Sequence, residues 1–136
     1  MNIQNKVAIV TGGGTGVGRA TSIQLAAQGC AVLVNYSRSA DEAQATVEEI
    51  KDNGGKAIAH CADVSENPEV LEMIAATTQA FGKLDILVNN AGTTEFISFR
   101  DLDAVTPEIW DRIMKVNVIG AFQVARAAAK AIRKTS

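Results

Sequence analysis

Soft metal ligands and reactive side chains are scarce in this sequence. One histidine and two cysteines occur in 136 residues, with no C-x-x-C pair and no histidine cluster. No motif therefore suggests a metal site. Cys30 and Cys61 lie in or beside apolar runs and are expected to be buried thiols of a reducing compartment, not a disulfide framework. His60 closes an expected strand and is read as a packed structural residue. Neither sign of charge dominates, since 13 basic residues face 15 acidic ones for a formal net charge of −2. That balance leaves no footprint for nucleic acid or an anionic membrane surface as partner. Apolar runs long enough to cross a bilayer, a signal peptide, low complexity and internal repeats are all missing. The expected setting is cytoplasmic. Hydrophobic residues at 47% and charged residues at 21% suit a globular core, read as one domain over residues 1–136.

Glycine, by contrast, is concentrated where it carries chemistry. The run Thr11-Gly12-Gly13-Gly14-Thr15-Gly16-Val17-Gly18 follows the apolar Val7-Ala8-Ile9-Val10 and leads into a helix-like segment. Strand, glycine turn and helix in that order form a phosphate site. Glycines let a pyrophosphate approach the backbone, and the helix start offers unpaired N–H groups and a positive dipole end. The spacing is specific. G-x-G-x-x-G fits in no register, and a P-loop fails because Arg19-Ala20 follow Gly18. What fits is T-G-x-x-x-G-x-G, with Gly12, Gly16 and Gly18 as its glycines and Gly14, Thr15 and Val17 between them. An ordinary glycine-rich turn is the plainer alternative.

Along the chain, strands are expected at 6–10, 31–35, 56–60 and 84–89, alternating with helices. The first helix, from about Thr15, ends at Gly29, with Val17, Ala20, Ile23 and Ala27 on its apolar face. Ser39 and Glu42 read as a capping box for a helix that buries Ala43, Val47 and Ile50. Asn67 is the expected N-cap of the third helix, with Pro68 at its first position and Val70, Ile74, Thr77 and Phe81 facing inward. Residues 93–105 read as loop. Thr106 and Pro107 restart a helix through Ile109, Ile113 and Val116, and Asn117 and Gly120 predict a bend or break before a second helical stretch over 118–134. This alternation specifies an α/β fold, a Rossmann-type doubly wound parallel sheet with strand order 3-2-1-4.

Cofactor choice is read at the end of the second strand. An acid there would bind the adenosine ribose hydroxyls and select NAD(H). The sequence instead gives Asn35-Tyr36-Ser37-Arg38, with no acid before Asp41. Arg38 can pair with a 2′-phosphate and Ser37 can donate to it, which favours NADP(H) over NAD(H). Asp63 can accept from an adenine amino group while Val64 packs on the ring, although a simple turn aspartate fits Asp63 nearly as well. Asn89-Asn90-Ala91-Gly92 places small residues after the fourth strand, where ligands of open α/β sheets bind.

Together, Thr11-Gly12…Gly16…Gly18, Asp63, Asn89-Asn90-Ala91-Gly92 and Asn117 resemble the classical short-chain dehydrogenases/reductases, and the likeness runs from Lys6 onward. Asn35-Tyr36-Ser37-Arg38 is similar to the 3-oxoacyl-(acyl carrier protein) reductase and glucose-dehydrogenase-like branches. The resemblance implies hydride exchange between a nicotinamide and a carbonyl or alcohol carbon, with an acyl thioester among the substrate classes. It also implies a homo-oligomer, dimer or tetramer, and a catalytic set of asparagine, serine, tyrosine and lysine. Asn117 matches the asparagine of the proton relay. The other three have no counterpart here: the sole tyrosine is Tyr36, and Ala40, not lysine, stands four residues on. The expectation is therefore an N-terminal half of such a reductase, a C-terminally incomplete domain that is inactive alone. The competing reading is a non-catalytic dinucleotide-binding half-domain or subunit-interaction module.

Overall fold

The computed structural model describes residues 2–136. Four strands, β1 (Val7–Val10), β2 (Ala31–Tyr36), β3 (Lys56–Cys61) and β4 (Ile86–Val88), alternate with helices α1 (Gly16–Ala27), α2 (Ala40–Asp52) and α3 (Asn67–Phe81). The strands form one parallel sheet in the order β3-β2-β1-β4, with Ile9 opposite both Leu33 of β2 and Leu87 of β4. The chain then passes through a short 3-10 turn, Leu102–Ala104, to α4 (Pro107–Met114) and α5 (Ala121–Thr135). This is the expected strand order, although β4 is shorter than the six residues its sequence suggests.

Continuous apolar strands are explained by burial on both faces. Ile9 and Leu33 join one core with Val70 and Met73 of α3 and Val124 and Ala128 of α5. Their neighbours Val10, Val32 and Val34 join a second core with Ala43, Val47 and Ile50 of α2. Successive side chains of a strand point to opposite faces, so the two clusters lie on opposite sides of the sheet.

Several local expectations are corrected. The inner face of α1 is Gly18, Ser22 and Ala26, and Val17 is exposed. Small residues face the core there because the helix lies close to the turn that precedes it; an added Cβ on Gly18 would collide with the Gly12 carbonyl oxygen and sit 2.6 Å from Asn90 Nδ2. On α3 the fully buried set is Val70, Met73 and Thr77, while Ile74 and Phe81 are only half-buried. Ser39 makes no capping hydrogen bond, since its backbone (φ −88°, ψ 63°) is not in the extended conformation that aims a cap side chain at the first turn. Asn67 is the first residue of α3, not its cap, and its side-chain oxygen accepts from Arg126 of α5 at 3.1 Å. Between α4 and α5 the helix does not break: residues Lys115–Gly120 form a π-helical segment that joins the two. Thr106 does cap α4, accepting from the Ile109 N–H. Cys30 is buried, and burial, reinforced by Asp85, pushes its thiol pKa up, but Cys61 is exposed because β3 is an edge strand.

At the amino ends of the strands, Asp85 ties β4 to β1. Its carboxylate accepts from the Val7 N–H at 2.9 Å and pairs with Lys83 at 3.0 Å and Lys6 at 3.5 Å. Burial opposes its ionisation, yet the Val7 N–H and the two lysines outweigh burial and hold the carboxyl below its ordinary value. A depressed folded-state pKa gives stability that is present above the unfolded value and lost as pH falls through the folded one. Asp85→Asn is therefore expected to flatten the acid limb of stability against pH, read as urea midpoints; an acid limb identical to the parent's would contradict the role assigned to this carboxylate. Gly18→Ala is expected to cost about 1–3 kcal/mol of stability through overpacking. A melting temperature unchanged by that substitution would contradict the close approach.

Candidate functional site

A cleft of about 440 Å³ opens at the carboxyl ends of the strands, where open α/β sheets bind ligands. Three segments chosen from the sequence converge on it: Gly12, Gly14 and Thr15 after β1, Tyr36, Ser37 and Arg38 at the end of β2, and Asn90, Ala91 and Gly92 after β4. Asp63 and Val64 after β3 complete the wall. Gly16, Val17, Gly18 and Asn117 are outside that lining. Gly18 serves the cleft indirectly, through its packing on Gly12, and Gly16 and Val17 form the exposed start of α1.

The glycine turn is held by side chains at the strand ends. Gly12 takes φ +60°, a left-handed conformation that favours glycine. Its N–H donates to Asn35 Oδ1 at 3.2 Å, and its carbonyl accepts from Asn90 Nδ2 at 3.2 Å. Thr11 Oγ1 accepts from the N–H groups of both Asn90 and Ala91, each at 2.9 Å. These bonds matter because strand ends leave backbone groups without ladder partners, and Thr11 and Asn35 are both buried. Neither residue has a role of its own in the sequence motifs. The available signal was Asn35 itself, a polar residue completing an apolar strand and so in need of buried partners.

Thr15 stands at the N-cap of α1 but makes no side-chain cap bond, and no acid lies in the first turn. The first N–H groups of α1 thus have no side-chain competitor for an anion. At the end of β2, Arg38 is exposed and has no ion-pair partner among the described residues. Asp63 is committed to its own turn, where Oδ1 accepts from the Ser65 N–H at 2.9 Å and from Ser65 Oγ at 2.7 Å. Cys61, Glu69 and Thr93 also reach the lining, and none of the three is a site residue in the sequence patterns.

Asn117 lies in the π-helical segment and faces the loop after β4. Its Oδ1 accepts from the Thr93 N–H at 2.7 Å and its Nδ2 donates to the Thr93 carbonyl at 2.9 Å. Arg112 of α4 adds a bond to Thr93 Oγ1 at 2.9 Å and pairs with Glu95 at 2.5 Å. The same helical rod grips the loop after β3: Gln123 donates to the Val64 carbonyl at 3.0 Å, and Lys115 pairs with Glu66 at 2.9 Å. Tyr36, the sole tyrosine, is on the cleft wall at β2. The described residues contain no group of three or more metal-ligating side chains, and no helix is long and apolar enough to cross a membrane.

Comparison with known proteins agrees with this architecture. A family model described as short chain dehydrogenase matches residues 6–136. The Bacillus subtilis short-chain dehydrogenase/reductase homolog YusS is 53% identical over 109 residues, which is 80% of this chain and all of that protein. Versicolorin reductase 1 of Aspergillus parasiticus is 44% identical over 132 residues, 97% of this chain but 49% of that protein. A short chain dehydrogenase from Burkholderia cenocepacia, solved in complex with NADP, superposes with a TM-score of 0.89 at 40% identity, over 97% of this chain and 53% of that one. YusS apart, the chain spans about half the length of these relatives. With its sheet order, its glycine turn and a match over nearly its whole length, the chain belongs to the short chain dehydrogenase family.

Proposed function

We propose that this chain is the dinucleotide-binding part of an NADP(H)-dependent oxidoreductase, acting on a carbonyl or secondary alcohol. The observation that carries the cofactor preference is the end of β2. No carboxylate stands there, and Arg38 is an unpaired cation at the cleft wall. The cleft fits the group on its own terms, because the start of α1 lacks a competing cap and the turn brings bare backbone to the wall. Gly12, Gly14 and Thr15, with Gly16, Val17 and Gly18 at the helix start, would hold the pyrophosphate. Ser37 and Arg38 would hold the 2′-phosphate, with Tyr36 beside them. Asp63 and Val64 would meet the adenine, and Asn90, Ala91 and Gly92 the nicotinamide end. When bound, the coenzyme supplies or accepts a hydride. Asn117 orders the loop at Thr93 and is assigned to the proton relay. Asn35-Tyr36-Ser37-Arg38 is similar to the 3-oxoacyl-(acyl carrier protein) reductase and glucose-dehydrogenase-like branches of the family, so an acyl thioester stands beside simple carbonyls and alcohols as substrate class. The complete protein is assigned to the cytoplasm as a homo-oligomer.

A second reading, a non-catalytic dinucleotide-binding module, is favoured by one observation. YusS, matched along its whole length, does not extend beyond the region shared with this chain. The two readings differ in turnover, not in nucleotide binding.

NADPH is expected to bind residues 1–136 more tightly than NADH in calorimetric titration, and Arg38→Asp to weaken NADPH selectively by roughly 1–3 kcal/mol. Tighter binding of NADH by the parent chain would refute the preference. The chain holds no Tyr-x-x-x-Lys, and acid–base help of that kind is typically worth ~10²–10⁴-fold. Residues 1–136 alone are accordingly expected to show no NADPH oxidation with a panel of ketones and 3-oxoacyl thioesters. Turnover that persists after removal of host reductases would reveal a proton donor other than the family's.

A further inference from the structure

We infer that Asn35 is a positioning residue that fixes the spacing between the two ends of the cleft, an inference that rests on the dinucleotide assignment above. The residue is 2% exposed, and its side chain joins three strand ends. The oxygen accepts from the Gly12 N–H at 3.2 Å, in the pyrophosphate turn. The nitrogen donates to the Ala62 carbonyl at 3.0 Å, just before Asp63, and faces the Tyr36 and His60 carbonyls at 3.3 and 3.4 Å. Its own backbone carbonyl accepts from the Gly13 N–H at 2.9 Å. Among the described residues no other side chain bonds to the end of β3 and to the glycine turn together.

The chemistry of the position is narrow. One edge needs an acceptor and the other a donor, which an amide supplies in a single planar group. A carboxylate of the same shape would keep the Gly12 bond and oppose three carbonyl oxygens. An alanine would leave the Gly12 N–H and the Ala62 carbonyl unpaired in a buried place. Either change loosens the turn against the walls that carry Tyr36, Arg38 and Asp63. A dinucleotide touches both ends, so its second contact is intramolecular and is lost when the ends shift out of register. A ligand confined to one end does not sense that spacing.

Two probes separate this role from general stability. Adenosine 2′-phosphate reports the adenosine end alone, and NADPH reports both ends. In NMR titrations, Asn35→Ala is expected to weaken NADPH by at least about tenfold while leaving adenosine 2′-phosphate affinity close to that of the parent. Parallel weakening of both probes, or unchanged NADPH affinity, would overturn the inference. Failure of the unsubstituted chain to bind NADPH would instead remove the nucleotide assignment, and this inference with it. A measurement independent of any variant's folding is amide exchange in the nucleotide-free parent chain. The Gly12 and Gly13 N–H groups are expected to be strongly protected, and fast exchange at both would overturn the positioning role while leaving the nucleotide assignment standing.

Discussion

A parallel sheet ends in peptide groups that its ladder cannot satisfy, and the cleft of this protein is built from the way those groups are paired. Thr11, Asn35 and Asn90 supply hydroxyl and amide groups at the carboxyl ends of β1, β2 and β4. Each is a short side chain with few rotamers, so little conformational entropy is lost in holding the turn. The turn then needs no bulky residue of its own, and bare backbone can face a ligand. The packing beneath it follows from the same economy of space. Gly18 and Ser22 present little side chain to the turn, and Ser22 Oγ bonds to the Gly13 and Gly18 carbonyls.

Much of this was legible in the residues. The four apolar runs, the glycine spacing and the helix punctuation at Gly29, Gly54 and Gly82 require only local rules, and the sheet order follows from connection rules that admit few alternatives. The convergence of Tyr36, Asp63 and Asn90 on one cleft follows from parallel strands, which bring all their carboxyl ends to one side.

What sequence reasoning lost is equally specific. Apolar periodicity placed Val17 and Ala27 inside α1, but a helix that sits close to backbone buries its smallest side chains. Ser39 has the composition of a cap without the backbone conformation of one. Cys61 ends an apolar run but belongs to an edge strand, and edges are a property of the assembled sheet. At Asn117 and Gly120, where the sequence predicts a bend or break, the helix widens into a π-helical turn and continues into α5.

The pairing of β1 with β4 has a consequence for how the chain assembles. Val7 and Asp85, which fasten those strands at their base, are 78 residues apart, whereas β1 meets β2 after a single helical crossover. Closing so long a loop carries a larger entropic cost than the local pairing, and long-range contacts reward it only once they form. Of the two interior strands, β1 is thus synthesised before β2 but is the later to be paired on both sides. One edge of β1 waits, unpaired and apolar, until β4 has emerged, which makes this interval the one in which edge-to-edge association with another chain competes most directly with folding.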